Sequence, residues 1–279
     1  SWIFDEWNKT EDDSTEDLQS VAFTGTHFLG LSAGGIVSTS VSGEFFTANE
    51  MDAVAFVDSV TADDGLTLAV SRDGHRMSSR NLYTWIDRHK AEQEDSLRYN
   101  AITHGNGHFV AVGDNALLVT STDGETWTNL SWDASNGIHY RDVLFANDRY
   151  IMLARDPDKP FGYIKMAKDM TEPTPFSVVE EPVEELTSLA FGNGLYLAAG
   201  DQVVYVSGDG SDNSWTRYEQ DDLVFNAVTH DGTDFIAVTN TGVYVSDTGE
   251  FWSKKLFVPE GEPKLMDITF GAPSIGEPS

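Results

Sequence analysis

Apolar residues in this chain come in short runs such as HFVAV, LYLAA and FIAV, separated by clusters of Gly, Asn and Asp. Such β-branched and aromatic runs, punctuated by turn chemistry, predict strands. No convincing amphipathic helix is present; only 87–97 has the composition for a turn or two. The runs also repeat. AITHGNGHFVAVGDNALLVTSTDGETWTNL spans Ala101 to Leu130, SLAFGNGLYLAAGDQVVYVSGDGSDNSWTRY spans Ser188 to Tyr218, and NAVTHDGTDFIAVTNTGVYVSDTGEFWSKKL spans Asn226 to Leu256. Weaker copies start near Val21, Ala53 and Asp142.

Each copy reads strand, turn, strand, turn, strand, tight Gly turn, then a strand that opens on an aromatic. The opening aromatics are Phe46, Trp85, Trp127, Phe176, Trp215 and Trp252, at intervals of 39, 42, 49, 39 and 37 residues. Four strands about every forty residues predict an all-β fold, a β-propeller of four-stranded blades. Ser1-Trp2-Ile3 reads as a last strand, and 265–271 as a first strand. Residues 259–279 and 1–20 together make 41 residues, one blade's worth. The expectation is therefore a single domain over 1–279 with seven blades, the seventh closed by both termini; six blades with loose ends is the alternative. Closure of this kind removes sheet edges.

Ser121-Thr122-Asp123-Gly124-Glu125-Thr126-Trp127 resembles the Asp-box, the S-x-D-x-G-x-x-W turn of BNR-type and sialidase-like propellers, in a short form. Ser71 to Gly74, and Ser207, Asp209 and Gly210 with Trp215, match in part; Ser246, Gly249 and Trp252 match with the Asp displaced. The surrounding repeat is similar to that of photosystem II assembly-factor-like propellers. The resemblance implies a structural role for Ser121, Asp123, Gly124, Trp127, Ser207, Asp209, Trp215 and Trp252. An Asp in such a turn accepts backbone N–H bonds, and the Trp packs between sheets. It also implies that ligands meet the opposite face, where strand 2–3 turns and blade connections lie.

Composition narrows the partners. Lys and Arg total 17 against 46 Asp and Glu, a formal charge of −29. Phosphate backbones and anionic lipid would repel such a chain, so neither nucleic acid nor membrane is an expected partner. No apolar run is long enough to span a bilayer. There are 0 cysteines, which excludes thiol nucleophiles, disulfides and Cys-ligated metals. The chain opens at Ser1 without a charged-then-apolar leader, which fits a processed chain or a piece of a longer one.

The blade connections are acidic: Glu11-Asp12-Asp13, 92–95, Glu180-Glu181, Glu184-Glu185, Asp221-Asp222, and Glu260 with Glu262. The strand 2–3 turns add Asp114, Asp156, Asp158 and Asp201. A rim of carboxylates suits a basic partner or Ca²⁺, the one cofactor considered. No stretch has EF-hand spacing, so a calcium site would have to be assembled across blades, and no metal ligand set is assigned. Against this rim stand Arg98 beside Tyr99 and Arg141 beside Tyr140. Guanidinium forks fit carboxylates, and paired Arg and Tyr at a channel mouth resemble the way sialidases hold a carboxylated sugar. The R-I-P motif, a third Arg and a Tyr–Glu nucleophile pair are missing, so no catalytic residue is assigned.

The function expected is a non-enzymatic, extracellular binding or assembly module on a cell surface or virion. It would present its acidic loop face, with Arg98, Tyr99, Asp114, Tyr140, Arg141, Asp156, Asp158 and Asp201, to a protein or glycan. A carbohydrate-active enzyme, a sialidase-like hydrolase or a lyase, is the alternative; it requires Arg98 and Arg141 to converge on one pocket with an unpaired carboxylate.

Of the 46 acids 28 are Asp, and only 8 of the 17 cations are Lys, a balance that suits a salty medium. Salt screens self-repulsion at this charge. The melting temperature is expected to rise from low to molar salt, as followed by circular dichroism; a flat or falling trend would remove the halophilic reading.

Overall fold

A computed structural model describes residues 18–51, 54–88, 97–131, 137–159, 162–170, 177–178, 185–257 and 265–271. The described strands pair antiparallel with their chain neighbours. The first sheet holds β1 (Leu18–Phe23), β2 (Phe28–Ser32), β3 (Ile36–Ser40) and β4 (Thr47–Glu50). The second holds β5 (Phe56–Thr61), β6 (Thr67–Ser71), β7 (Arg76–Ser79) and β8 (Ile86–Asp87). The third holds β9 (Tyr99–Gly105), β10 (His108–Gly113), β11 (Leu118–Ser121) and β12 (Thr128–Asn129). The fourth holds β13 (His139–Ala146), β14 (Arg149–Arg155), β15 (Gly162–Ala167) and β16 (Ser177–Val178). The fifth has six strands: β17 (Leu186–Gly192), β18 (Leu195–Ser207), β19 (Thr216–His230), β20 (Phe235–Thr239), β21 (Gly242–Ser246) and β22 (Ser253–Phe257).

The propeller of four-stranded units is thus present, but the described strands form five sheets, not the seven blades, or six, that the repeat predicts. The repeats that begin near Ser188 and Asn226 share one sheet. β18 binds β17 through 195–200 and β19 through 203–206. β19 then runs from the outer edge of one repeat into the innermost strand of the next. It passes through Asp221 and Asp222, the latter at φ 64°, where ladder pairing lapses after Glu219 and resumes at Val224, opposite Asp201. The two halves of this sheet nevertheless pack face to face, with Leu197, Val204, Phe225 and Phe235 between them. The blade assigned jointly to 1–20 and 259–279 lies largely outside the described residues. Residues 265–271 do not form a strand, but Leu265 and Ile268 pack on Ala227, Val238 and Val243, and Asp267 reaches Val21 of β1.

The core is a series of apolar layers between consecutive sheets. Inner strands are covered on both faces, so β6 is buried at every position. The outermost strands β8 and β12 are short and exposed, and apart from Ile86 they are polar, which blunts them as edges.

One packing device recurs at the end of the innermost strands. Phe23, His104, Phe145, Phe191 and His230 each pack, tilted or edge-on, against an aromatic ring at the first or second position of the next strand, at 4.6–4.9 Å between centroids. The neighbouring sheet offers a glycine beneath some of these rings. A Cβ on Gly105 would stand 2.0 Å from Phe145, and one on Gly192 2.0 Å from His230. The histidines thus occupy packing positions. Gly105→Ala is expected to cost about 1–3 kcal/mol in urea denaturation, the usual range for overpacking. Combined with Phe145→Ala, which removes the ring it strikes, the two effects should sum to less than their separate values.

Candidate functional site

The loop face holds most of the charged residues that the sequence singled out. The N–H of Asp114 donates to the carbonyl of Arg98 at 2.9 Å. Asp114 Oδ1 accepts from Asn100 Nδ2 at 2.9 Å and meets His139 Nδ1 at 2.9 Å. Burial pushes this carboxyl up, but the Asn100 and His139 bonds and nearby Arg141 outweigh it and hold it below the usual range. Next along the rim, Glu185 Oε1 takes Arg155 Nη1 at 2.8 Å and lies 3.9 Å from Arg141 Nη2. Asp156 pairs with Lys159 at 3.0 Å and accepts the Asp158 N–H at 3.1 Å. Lys159 also donates to Tyr163. Asp158, Asp201 and Arg98 are exposed, and Asp201 accepts from Gln202 at 3.4 Å.

Two nominated binders are placed elsewhere. Tyr99 is 0% exposed, its hydroxyl accepting from Arg76 at 3.0 Å. Tyr140 is buried beneath the ammonium of Lys165, 5.2 Å above its ring, and burial pushes its hydroxyl pKa up. Successive strand residues point to opposite faces, so each Arg-Tyr neighbour pair is split, arginine outward and tyrosine into the core. Neither Arg98 nor Arg141 lines either of two grooves at the sheet margins, one bounded by Tyr218 and Trp252, the other by Phe23, His27 and Arg80. Among the described residues no group of three or more His, Asp or Glu is placed to hold a metal.

The Asp-turns lie between the third and fourth strands of a repeat. Ser121 Oγ accepts the Gly124 N–H at 2.8 Å, and Asp123 Oδ1 accepts those of Glu125 and Thr126 at 2.8 Å each. The Thr126 and Glu125 donors hold Asp123 below the usual carboxylate range. Trp127 Nε1 donates to the Gly124 carbonyl at 3.2 Å, and Trp252 does the same to Gly249 at 3.0 Å. In the longer turn from Ser207, Asp209 accepts from Ser211, which helps bring its pKa down to about 2. There the indole N–H of Trp215 finds no acceptor among the described residues. Ser71 to Gly74, a partial match by letter, lies instead in the β6–β7 turn at the other end of the sheet. The equivalent turn in that sheet is Ser79 to Trp85. Asn81 Oδ1 accepts from Tyr83 and Thr84, Leu82 takes the glycine place at φ 63°, and Trp85 donates to its carbonyl. Sequence reading missed it because Asn and Leu stand for Asp and Gly.

A second set was also missed. Asp58 and Asp142 occupy the same position of the innermost strands β5 and β13, in FVDSV and YRDVL, and Asp267 occupies the matching position of LMDIT within 265–271. Each carboxylate crosses to the backbone of a neighbouring inner strand. Asp58 accepts the Ile102 N–H at 2.8 Å, Asp142 that of Leu189 at 2.7 Å, and Asp267 that of Val21 at 2.8 Å. Ser188 does the same for Val228 at 3.2 Å. Burial raises all three carboxyl pKa values, Asp142 to about 6, and the like charges of the set add to the rise at Asp58 and Asp142. The signal in the sequence was an Asp recurring at one register of an apolar strand.

No family model matches this chain, and no curated protein matches it. The fold and the repeating Asp-turns define a β-propeller, and the solved structures agree. The chain is similar to the structure of YCF48 bound to D1 peptide, with a TM-score of 0.65 and 12% identity over 87% of this chain and 83% of that one. At this identity the likeness shows the propeller fold. It does not assign the chain to the Asp-box or sialidase-like proteins.

Asp142 gives a pH signature. Its folded pKa lies above the unfolded value near 4, so the folded state binds the extra proton between about pH 4 and 6. Its contribution to stability is therefore full below that window and lost as pH rises through it. Urea denaturation should show stability rising by about 1–3 kcal/mol from about pH 7 to pH 5. Asp142→Asn, which cannot titrate, should reduce that slope whatever its own baseline, leaving the part that Asp58 and Asp267 contribute.

Proposed function

We propose that this propeller is a non-enzymatic module that binds a polypeptide partner through its loop face, as part of a larger assembly outside the cytoplasm, on a cell surface or a virion. The observation that carries the reading is the paired state of the loop-face charges. Asp114 with Asn100 and His139, Glu185 with Arg155 and Arg141, and Asp156 with Lys159 hold one another in place. Such a surface is a fixed relief of opposite charges. It suits recognition, in which charge pattern sets partner choice and encounter rate. Catalysis would ask instead for an acid and a base converging on one reacting atom. Support comes from a propeller of similar fold whose structure is that of YCF48 bound to D1 peptide. The formal charge of −29 and the acidic connections favour a basic partner.

The test pairs a glycan array with chemical cross-linking in the native source. A polypeptide cross-linked through the loop face is expected, with no isolated sugar bound. Glu185→Ala frees both Arg141 and Arg155 and should weaken partner capture several-fold while changing stability by about 0.5 kcal/mol or less, as surface ion pairs do. Binding or turnover of a purified glycoside would overturn the reading in favour of a carbohydrate-active enzyme or lectin.

A further inference from the structure

Two junctions between neighbouring units are built alike and filled differently. Met77 faces Asp87 in the second sheet, and Tyr205 faces Arg217 in the fifth. By this register Arg76 and Arg88 hold the places of Val204 and Tyr218. On the facing side the Asp-turns align Ser121, Glu125 and Trp127 with Ser246, Glu250 and Trp252.

At the first junction the chain supplies its own arginines. The buried Arg76 guanidinium lies 5.2 Å over the Trp127 ring. Arg88 Nη2 pairs with Glu125 Oε1 at 2.7 Å, and its Nε donates to Ser78 at 3.0 Å. At the second junction neither arginine is present. Val204 and Phe225 close the deep place with apolar atoms. The outer place holds Tyr218, whose hydroxyl donates to Glu250 Oε1 at 2.8 Å. Beyond it lies an open groove of about 640 Å³. Tyr244 and Trp252 wall it, and Glu219, Asp221 and Asp222 lie along its side. Phe251, where the first junction has Thr126, stands at its lip 80% exposed. The groove already seats one cation on a ring, Lys254, 5.5 Å over Tyr244.

We propose that this groove docks an arginine side chain from a basic, extended polypeptide segment, its guanidinium lying outside Tyr218, which fills the place that Arg88 holds at the first junction, and against Phe251 and the carboxylates of the lining. Four carboxylates and one ammonium are among the lining residues, and although Arg217 pairs with Glu219 at 3.0 Å the lining stays net negative, complementary to a cation. A planar guanidinium both stacks on aromatic faces and pairs with carboxylates, which an ammonium does less well. The groove is lined by residues of the fifth sheet, and the loop-face network is built from other residues. Its test uses isolated peptides, so the failure of either proposal is distinguishable from that of the other.

The probe is a fluorescently labelled peptide of alternating arginine and glycine, compared by polarisation with its lysine and citrulline analogues on the intact chain. The arginine peptide should bind saturably, and more weakly as salt rises. Phe251→Ala, at an exposed site, should weaken binding by about tenfold, and the citrulline peptide should lose at least as much. Tyr218→Arg, which fills the groove from within as Arg88 does, should abolish binding with the circular dichroism spectrum unchanged. Equal affinity for the lysine peptide, binding that survives Tyr218→Arg or Phe251→Ala, or no binding at all would overturn the proposal.

Discussion

A ring of sheets has one junction that the chain cannot make simply by continuing, and among the described residues the carboxylate of Asp267 bridges it. Asp267 accepts the N–H of Val21, 246 positions away in sequence. Bringing such distant segments together costs loop-closure entropy, which grows slowly with length. The same bond is made elsewhere around the ring, by Asp58 to Ile102 and Asp142 to Leu189. Leu265 and Ile268 support it by covering Ala227 and Val238.

The aspartates that make these bonds are poor residues for burial. A desolvated carboxylate is costly unless it is well bonded, and each of these accepts two backbone N–H groups, its own neighbour's and one across the junction. Ser188 shows that a neutral hydroxyl can serve one such crossing. The charged form gives a stronger bond at the expense of like-charge repulsion within the set. The outer acids behave in the opposite way. Asp123 and Asp209 bind local turn donors in contact with water, and their carboxylates are stabilised as anions.

Strands and Ser-Gly-Trp turns were legible because their causes are local. The period of apolar runs and a hydroxyl beside a tight turn need no distant partner. Sheet count was not legible, because it depends on whether pairing with β18 resumes beyond the turn at Asp222, as it does between Val224 and Asp201. The Arg-Tyr pairs were misread as neighbours in space; the two-residue alternation of a strand sends Tyr99 and Tyr140 inward. The turn at Asn81 was hidden by a search for letters when the requirement is an acceptor followed by a left-handed residue, which Leu82 supplies here. The inner aspartates were hidden because an Asp in a strand reads as solvent-facing until its register is compared across repeats.

The unbroken run of β19 couples the two repeats it joins. Where sheets are linked by separate connections, one can loosen while its neighbours keep their hydrogen bonds. β19 carries ladder bonds to β18 with one end and to β20 with the other. Releasing either end strips partners from a strand that both halves need, which favours opening of the two repeats together. A groove set between those halves keeps its two walls in fixed relation for as long as the strand holds.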